Sequence, residues 1–218
     1  MEDAIELREE LQELLGRGDF PLRKWYSNNR AVLETIPGEL RETQNLLRFD
    51  EKDNVKTLGL LWNPMCDEFL FDVNVKECGD YYTKRKVLSI ISAIFDPLGL
   101  LGPVIITTKI FMQQLWQTKL DWDDPLPHPL LETWKNIYSM LHILKDFRIS
   151  RLILVRGKIV QIQMHGFSDA SEKAYAACIY LRSITDTGFC SVNLVCSKSR
   201  VAPLKQQTIP RLELCGAL

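Results

Sequence analysis

Apolar residues recur at helical spacing in four stretches of the chain, with polar residues between them. Repeats of three and four residues place the apolar side chains on one face of each predicted helix. The predicted helices span residues 3–16, 84–94, 103 to about 119, and about 130–145. Pro103 suits a helix start, because proline is accepted in the first turn. Most of the predicted helices therefore lie in the first two thirds of the chain.

The apolar period changes from helical to strand-like after residue 147, and alternation predicts three further strands and a short final helix. An earlier pair of strands is predicted as a hairpin closed by residues 63–67. The predicted strands are residues 56–62, 68–73, the segment around Asp169, Ala174–Leu181 and Ser191–Ser197, and Glu213 lies in the final helix. The predicted fold class is α+β: a hairpin and a helical region, then an antiparallel sheet with one helix.

Composition is that of a globular protein with one large or two modest domains. The chain has 218 residues, of which 46% are hydrophobic and 25% charged. No apolar run reaches the roughly 20 residues of a membrane span, so no membrane partner is predicted. The six cysteines form no CxxC pair, and the first residues are acidic rather than a basic signal sequence. An intracellular location, cytoplasmic or nuclear, is the simplest expectation.

Charge divides the chain into an acidic and a basic part. Residues 1–144 contain 16 Lys and Arg against 23 Asp and Glu, whereas residues 145–218 contain 11 against 5. The net charge of the second part is therefore +6, which suits a polyanionic partner. A solvated surface of mixed charge is the alternative interpretation.

Two carboxylates in the basic part are candidate metal ligands. Asp169 is predicted within a strand among apolar neighbours, where a charge is costly to bury without a partner. Glu213 is predicted on the final helix. Asp and Glu supply the hard oxygen ligands that Mg²⁺ prefers, and two-metal nucleases use such residues to activate water. The alternative is that Asp169 faces water and Glu213 is an ordinary helix-surface residue.

Four segments carry a resemblance to a known family. They are Phe20–Asn29, Thr57–Trp62, Val87–Pro103 with its central run Phe95-Asp-Pro-Leu-Gly99, and Ile159–Ser171 followed by the strand to Leu181. Together they resemble Pao/BEL-type retrotransposon Pol polyproteins, from the end of the reverse transcriptase to the start of ribonuclease H (RNase H). The resemblance implies a palm-like region at residues 1–80, a helical thumb- or connection-like region at 81–147, and a truncated RNase H-like domain at 148–218.

The same resemblance implies a function. Asp169 and Glu213 would be catalytic and metal-binding residues for Mg²⁺, in a family that synthesises DNA on RNA and hydrolyses the RNA strand of hybrids. Because that family uses four carboxylates, we expect this chain to be a catalytically incomplete fragment with an unpaired strand edge. Expected partners are an RNA–DNA hybrid or primer–template duplex and the rest of the Pol polyprotein. A non-catalytic nucleic-acid-binding remnant or domesticated module is the alternative.

Two basic segments are candidate nucleic-acid contacts. Arg23-Lys24-Trp25 joins cations to an aromatic ring, and Lys84-Arg85-Lys86 opens a predicted helix. Such residues contact phosphates and stack on bases. Basic residues at a helix N-terminus oppose the helix dipole, which favours a binding role over a structural one. The alternative for each segment is a solvated turn or helix end.

The triplet Asp186-Thr187-Gly188 has two interpretations. Aspartic peptidases carry such a triplet, and sequences of this type are also labelled retrotransposon peptidases. Asp-x-Gly between two strands is equally a hairpin turn in which glycine accepts positive φ. The neighbouring residues favour the turn, because no apolar strand precedes the triplet directly.

Overall fold

The computed structural model describes residues 2–41, 55–57, 60–71 and 81–218, with only the backbone at 55–57. The chain forms two compact units. One comprises Met1–Val55 and Trp62–Glu68, and the other comprises Lys56–Leu61 and Phe69–Leu218. The predicted domain boundaries near residues 80 and 147 remain predictions.

The described part of the first unit has two α-helices, α1 (Glu2–Gly16) and α2 (Arg30–Glu34), and a short 3-10 helix at Gly38–Leu40. The predicted first helix is therefore present. The Asn29 side chain begins α2 by accepting hydrogen bonds from the backbone N–H groups of Ala31 and Val32, as an N-cap residue does.

Three helices, α3 (Lys84–Ser92), α4 (Gly102–Gln117) and α5 (His128–Leu141), form the helical part of the second unit. Trp134 of α5 stacks on Phe111 of α4 with ring centroids 5.6 Å apart. Helix α5 begins before its predicted start, because proline in its first turn costs no hydrogen bond. The buried residues of this core are Tyr82, Val87, Phe111, Met112, Leu115, Leu126, Trp134 and Ile137.

Four short strands form a sheet in the order β1-β2-β3-β4. They are β1 (Val55–Thr57), β2 (Leu60–Asn63), β3 (Glu68–Leu70) and β4 (Arg148–Ser150). A second buried cluster contains Phe71, Ile94, Leu100, Leu101, Leu141 and Leu144. Among the partly buried residues packed on it are Ile149 of β4 and Leu194. Helical and strand residues of the second unit thus share one core.

The end of the chain forms an antiparallel sheet with the order β5-β6-β7, followed by one helix. These elements are β5 (Ile159–Ala170), β6 (Ala174–Thr185), β7 (Cys190–Val201) and α6 (Ile209–Ala217). The register places Asp169 opposite Ala176, which in turn lies opposite Ser199. The α+β class is confirmed. Strand β7 is longer than predicted, because its polar end residues pair with β6 although they show no apolar alternation.

No helix in the described part of the chain is long and apolar enough to cross a membrane.

Candidate metal and nucleic-acid site

Asp169 lies next to the end of β5, before the turn into β6. Its side chain is exposed, and Oδ1 accepts a 2.8 Å hydrogen bond from the backbone N–H of Ala170. The turn is closed by the N–H of Ser171, which donates to the carbonyl of Ala174 over 2.8 Å. The exposure agrees with the alternative of an aspartate that faces water. Because the carboxylate reaches water at the strand end, no desolvation cost requires a partner.

Helix α6 contacts the sheet at the position of Asp169. Gly216 is buried there, and a Cβ on this residue would lie 3.3 Å from the carbonyl oxygen of Ala176 and 3.5 Å from that of Asp169. The missing side chain therefore lets the helix approach both strands closely. Leu212, only 2% exposed, packs one turn earlier.

Glu213 lies on the exposed flank of α6, three residues before Gly216. Residues three apart on a helix are neighbours separated by about 5–6 Å. The two carboxylates are therefore carried by elements that meet at Asp169. An approach of their oxygens to within about 6 Å, close enough for one hydrated Mg²⁺, remains a prediction.

Alternation along β5 assigns the two sides of the sheet. The Cβ of Ser168 would lie 3.7 Å from a Cβ on Gly216, so Ser168 faces α6 and Asp169 is on the opposite face. That face forms a groove of about 430 Å³ whose lining includes Phe167, Asp169, Ala176 and Gly102.

The two carboxylates are the type of ligand that Mg²⁺ prefers, but they are too few to fill its coordination shell. Asp169 and Glu213 offer hard carboxylate oxygens, whereas Mg²⁺ takes six ligands. Among the residues that the structure describes, no group of three or more His, Cys, Asp or Glu could hold a metal ion. Asp169 and Glu213 alone therefore do not form a complete Mg²⁺ site.

The first predicted nucleic-acid segment lies in the smaller unit. Arg23 and Lys24 are exposed, and Lys24 adopts a positive φ of 60°. Trp25 is half-buried: its backbone N–H donates to the carbonyl of Leu40 over 2.8 Å, and its indole N–H is buried without an acceptor. Contact of Arg23 and Lys24 with phosphates stays a prediction, and the half-buried indole ring is less accessible for base stacking than predicted.

The second predicted segment has structural contacts instead. Lys84 is only 6% exposed, and its ammonium donates to the carbonyls of Thr118 and Leu120 over 3.1 and 2.6 Å. Thr118 is the C-cap residue of α4 and Leu120 follows it, so Lys84 satisfies one carbonyl at the helix end and one just beyond it. Lys86 donates to the carbonyl of Tyr81 over 3.0 Å and lies over that ring. The nucleic-acid role predicted for Lys84 consequently has no support in this geometry.

Arg85 is held by an exposed ion pair. Its Nε and Nη2 donate to both carboxylate oxygens of Asp123 over 2.8 and 2.9 Å, and its guanidinium lies 5.9 Å from the ring centroid of Trp122. The hydrogen bond with Arg85 lowers the pKa of the Asp123 carboxyl, and the same bond raises the pKa of Arg85. Arg85 is accessible, but a phosphate would compete with Asp123 for its donors.

The triplet Asp186-Thr187-Gly188 forms an exposed turn between β6 and β7. Gly188 has φ 83°, and its N–H donates to the carbonyl of Thr185 over 3.0 Å. The N–H of Asp186 donates to the carbonyl of Lys158 over 3.0 Å. This is the geometry that the turn interpretation predicts.

Sequence reasoning missed the role of the turn at Phe95–Gly99. The backbone N–H of Ser197 in β7 donates to the carbonyl of Leu98 over 2.8 Å. Gly99 has φ 72°, and a Cβ there would lie 1.9 Å from the carbonyl oxygen of Ser197. Asp96 accepts 2.8 Å bonds from the N–H groups of Leu100 and Leu101. The Asp-Pro-x-Gly pattern signals such a turn, but nothing in it identifies β7 as the partner.

Two basic residues of β7 contribute to the net charge of the basic part, but the sequence analysis did not identify them as candidate nucleic-acid contacts. Lys198 and Arg200 are exposed and lie opposite Ala177 and Tyr175 of β6. They line a cavity of about 490 Å³ together with Gly216 and other residues near the end of α6. Their alternation on the outer half of a strand was the signal that could have identified them.

The sheet, its docked helix and the exposed carboxylate correspond to a partial RNase H-like fold. A family model described as the Pao retrotransposon-like RNaseH-like domain matches residues 83–218, more than half of the chain. The chain therefore belongs to this family. No curated protein matches it.

Proposed function

We propose that the chain is a nucleic-acid-binding part of a retrotransposon Pol polyprotein that binds RNA–DNA hybrids through its RNase H-like region. In this proposal Asp169 and Glu213 are the metal-binding carboxylates, and the isolated chain is catalytically incomplete. The observation that supports it most directly is the docking of α6 against β5 and β6 at Asp169 through Gly216. The match to the family over residues 83–218 supports the same origin.

Electrostatics supports a polyanionic ligand. The net charge of +6 in residues 145–218 includes the exposed cations Lys198 and Arg200 beside α6. Lysine and arginine that bind phosphates release the counterions condensed there, and this release favours binding less at high salt, so affinity falls steeply with salt. In this proposal Lys198 and Arg200 contact the sugar–phosphate backbone of the hybrid.

The wider role belongs to the same proposal. The exposed cations Arg23 and Lys24 would contact a primer–template duplex in a polymerase of the reverse-transcriptase type. RNA-templated DNA synthesis and hydrolysis of the RNA strand are then the ancestral activities, and the location is the cytoplasm or nucleus. The cofactor of the complete enzyme would be Mg²⁺, which suits the carboxylates in kind.

Hybrid binding can be tested by fluorescence anisotropy with a labelled RNA–DNA duplex over a range of salt. We expect the double variant Lys198→Gln/Arg200→Gln to weaken binding and to lower the salt slope by roughly two, about one for each lost phosphate contact. The matched control is Lys119→Gln/Lys145→Gln, which removes two exposed lysines elsewhere in the same unit and should leave the slope unchanged. Equal effects of the two variants would contradict the assignment.

The metal role has a separate test. Mn²⁺ broadens NMR signals of nearby nuclei, so we expect residues around Asp169 and Glu213 to broaden first and Asp169→Asn to remove the effect. Binding should be weak, because two carboxylates supply few of six ligands. Efficient cleavage of the hybrid by this chain, lost in Asp169→Asn, would show that its site is more complete than proposed.

A further inference from the structure

The positive charge of residues 145–218 is concentrated in one short segment, residues 148–158, which is called the basic connector below. It contains four Lys and Arg and no Asp or Glu, and it therefore carries +4 of the net charge of +6. After β4 it forms no helix or strand until β5 begins at Ile159. Its four cations, all of them exposed, are Arg148, Arg151, Arg156 and Lys158.

The basic connector is attached to the sheet by side chains of two strands. Asn193 Nδ2 of β7 donates to the carbonyl of Ile153 over 2.9 Å. The N–H of Val155 donates to Ser183 Oγ of β6 over 2.9 Å. Ser183 is fully buried and Val155 is only 8% exposed. The connector is therefore anchored in the core of the sheet, and it crosses β7 and then β6.

The chain turns between Arg156 and Lys158. Gly157 has φ 119°, and the carbonyl of Lys158 accepts a 3.0 Å hydrogen bond from the N–H of Asp186. In the part of the chain that the structure describes, neither Arg156 nor Lys158 forms an ion pair. Both cations are therefore available to a ligand. Because their backbone is already fixed, binding has to order only the two side chains.

We propose that the basic connector is a second contact for the phosphates of the RNA–DNA hybrid, separate from Lys198 and Arg200. This inference rests on the proposed function, because it concerns the same ligand. Lysine and arginine position a duplex through its phosphates and do not read its sequence. A fixed, irregular segment with four cations and no carboxylate is suited to that task.

The basic connector and Lys198 lie on the same face of the sheet. Ala177 of β6 is opposite both Lys198 and Ser168, and Ser168 faces α6. Ser183 follows Ala177 by an even number of positions along β6, so its side chain points to that same face. At roughly 3.3 Å per residue, Ser183 is about 20 Å from Ala177. One turn of a B-form duplex is longer, about 34–36 Å, so one duplex can contact both regions.

The test is fluorescence anisotropy with a labelled RNA–DNA hybrid of about 20 base pairs, which exceeds one turn, over a range of salt. We expect Arg156→Gln/Lys158→Gln to weaken binding roughly tenfold or more and to lower the salt slope by roughly two. Combining it with Lys198→Gln/Arg200→Gln should lower the slope by roughly four, because both regions release counterions from one duplex. Arg156 and Lys158 are exposed, so the variants should fold, which circular dichroism and thermal melting would check.

The matched control is Lys119→Gln/Lys145→Gln, which removes the same charge from exposed lysines outside the basic connector and should leave the slope unchanged. If the connector variant binds the hybrid with the slope of the unchanged chain, the inference is wrong and the proposed function stands. A combined variant whose slope is no lower than that of either double variant would also overturn the inference, because the two regions would then bind separate duplexes. Failure of the unchanged chain to bind the hybrid would overturn the proposed function, and this inference with it.

Discussion

Strands β5 and β7 are the two outer strands of one sheet, each twelve residues long, yet their surroundings differ. Backbone and side-chain groups of the segment before and within α4 bond to β7 at Ser197 and Ser199. Strand β5 exposes apolar side chains along most of its length. Strand β7 connects the sheet to the helical core, whereas β5, whose outer edge pairs with no strand among the described residues, carries Asp169.

The difference shows which segment joins the helices to the sheet. The run Phe95–Gly99, the most specific part of the resemblance, has a structural role, because it attaches the helical region to β7. Leu194 of the same strand packs on the cluster containing Leu100 and Leu101. Residues 83–218, which the family model matches as one stretch, accordingly lie within one compact unit.

The largest expected effect comes from filling the space between Gly99 and β7. Gly99→Ala would combine a strained positive φ with a Cβ 1.9 Å from the Ser197 carbonyl oxygen, so the turn must leave the strand. We expect a loss of about 3 kcal/mol or more in the free energy of unfolding, measured by urea denaturation. The control is Gly188→Ala, with φ 83° but no atom within 4 Å, which should cost about 1–2 kcal/mol.

Similar losses in these two alanine variants would contradict the close approach of the turn to β7, because both share the strained φ and only one has the steric conflict.

The next effect comes from the carboxylate that organises the same turn. Asp96→Ala removes the acceptor of two 2.8 Å bonds from Leu100 and Leu101. We expect a loss of about 1–3 kcal/mol, because two partly buried N–H groups lose their acceptors. Asp124→Ala, which removes one exposed bond to the N–H of Asp121, should cost less in the same urea titration. A larger loss at Asp124 would count against the account.

A comparable loss is expected where α4 ends. Lys84→Met retains the length of the buried side chain but removes both hydrogen bonds to Thr118 and Leu120. The free energy of unfolding should fall by about 1–3 kcal/mol, whereas Lys86→Met, which removes one exposed hydrogen bond of a half-buried lysine, should cost less. Hybrid affinity should not change in Lys84→Met after correction for folded protein. A selective loss of affinity would restore the nucleic-acid role predicted for Lys84.

The smallest effect concerns the exposed pair of Arg85 and Asp123. The pKa of Asp123 is lowered from 3.8, so its contribution to stability is present above that value and is lost as pH falls through the folded-state pKa. We expect Asp123→Asn to melt slightly below the unchanged chain at neutral pH, with the difference vanishing in acid. Full exposure limits the size of the effect. A difference that grows on acidification would have the wrong sign.

The spacing of apolar residues predicted most helices and strands, but not which of them contact each other. Helices α3 and α4, the strand bearing Asp169 and the helix bearing Glu213 follow from local patterns of apolar residues. The attachment of Gly99 to Ser197 joins residues 98 positions apart, and local patterns do not encode such pairings. The same limit explains Lys84: a basic helix start suggested a surface, whereas its acceptors lie 34 and 36 residues away.

The sequence predicted which residues form the candidate site, but it did not determine how exposed they are or what packs against them. The motif indicated Asp169 and Glu213, and the structure places Asp169 where α6 meets the sheet. Exposure of Asp169 was one of two alternatives that the sequence left open, because apolar neighbours in sequence do not show that a strand ends one residue later. Gly216 gave no signal of its own, since close approach of a helix to two strands appears only in three dimensions.

Hydrogen exchange tests the contrast between the two outer strands most directly. The account predicts fast exchange at alternate amides of β5 in this chain, because their N–H groups point away from β6 and no other described strand pairs with them. The N–H of Ser197 should exchange slowly, because it bonds to Leu98. Equal protection of alternate amides along β5, or fast exchange at Ser197, would contradict the account.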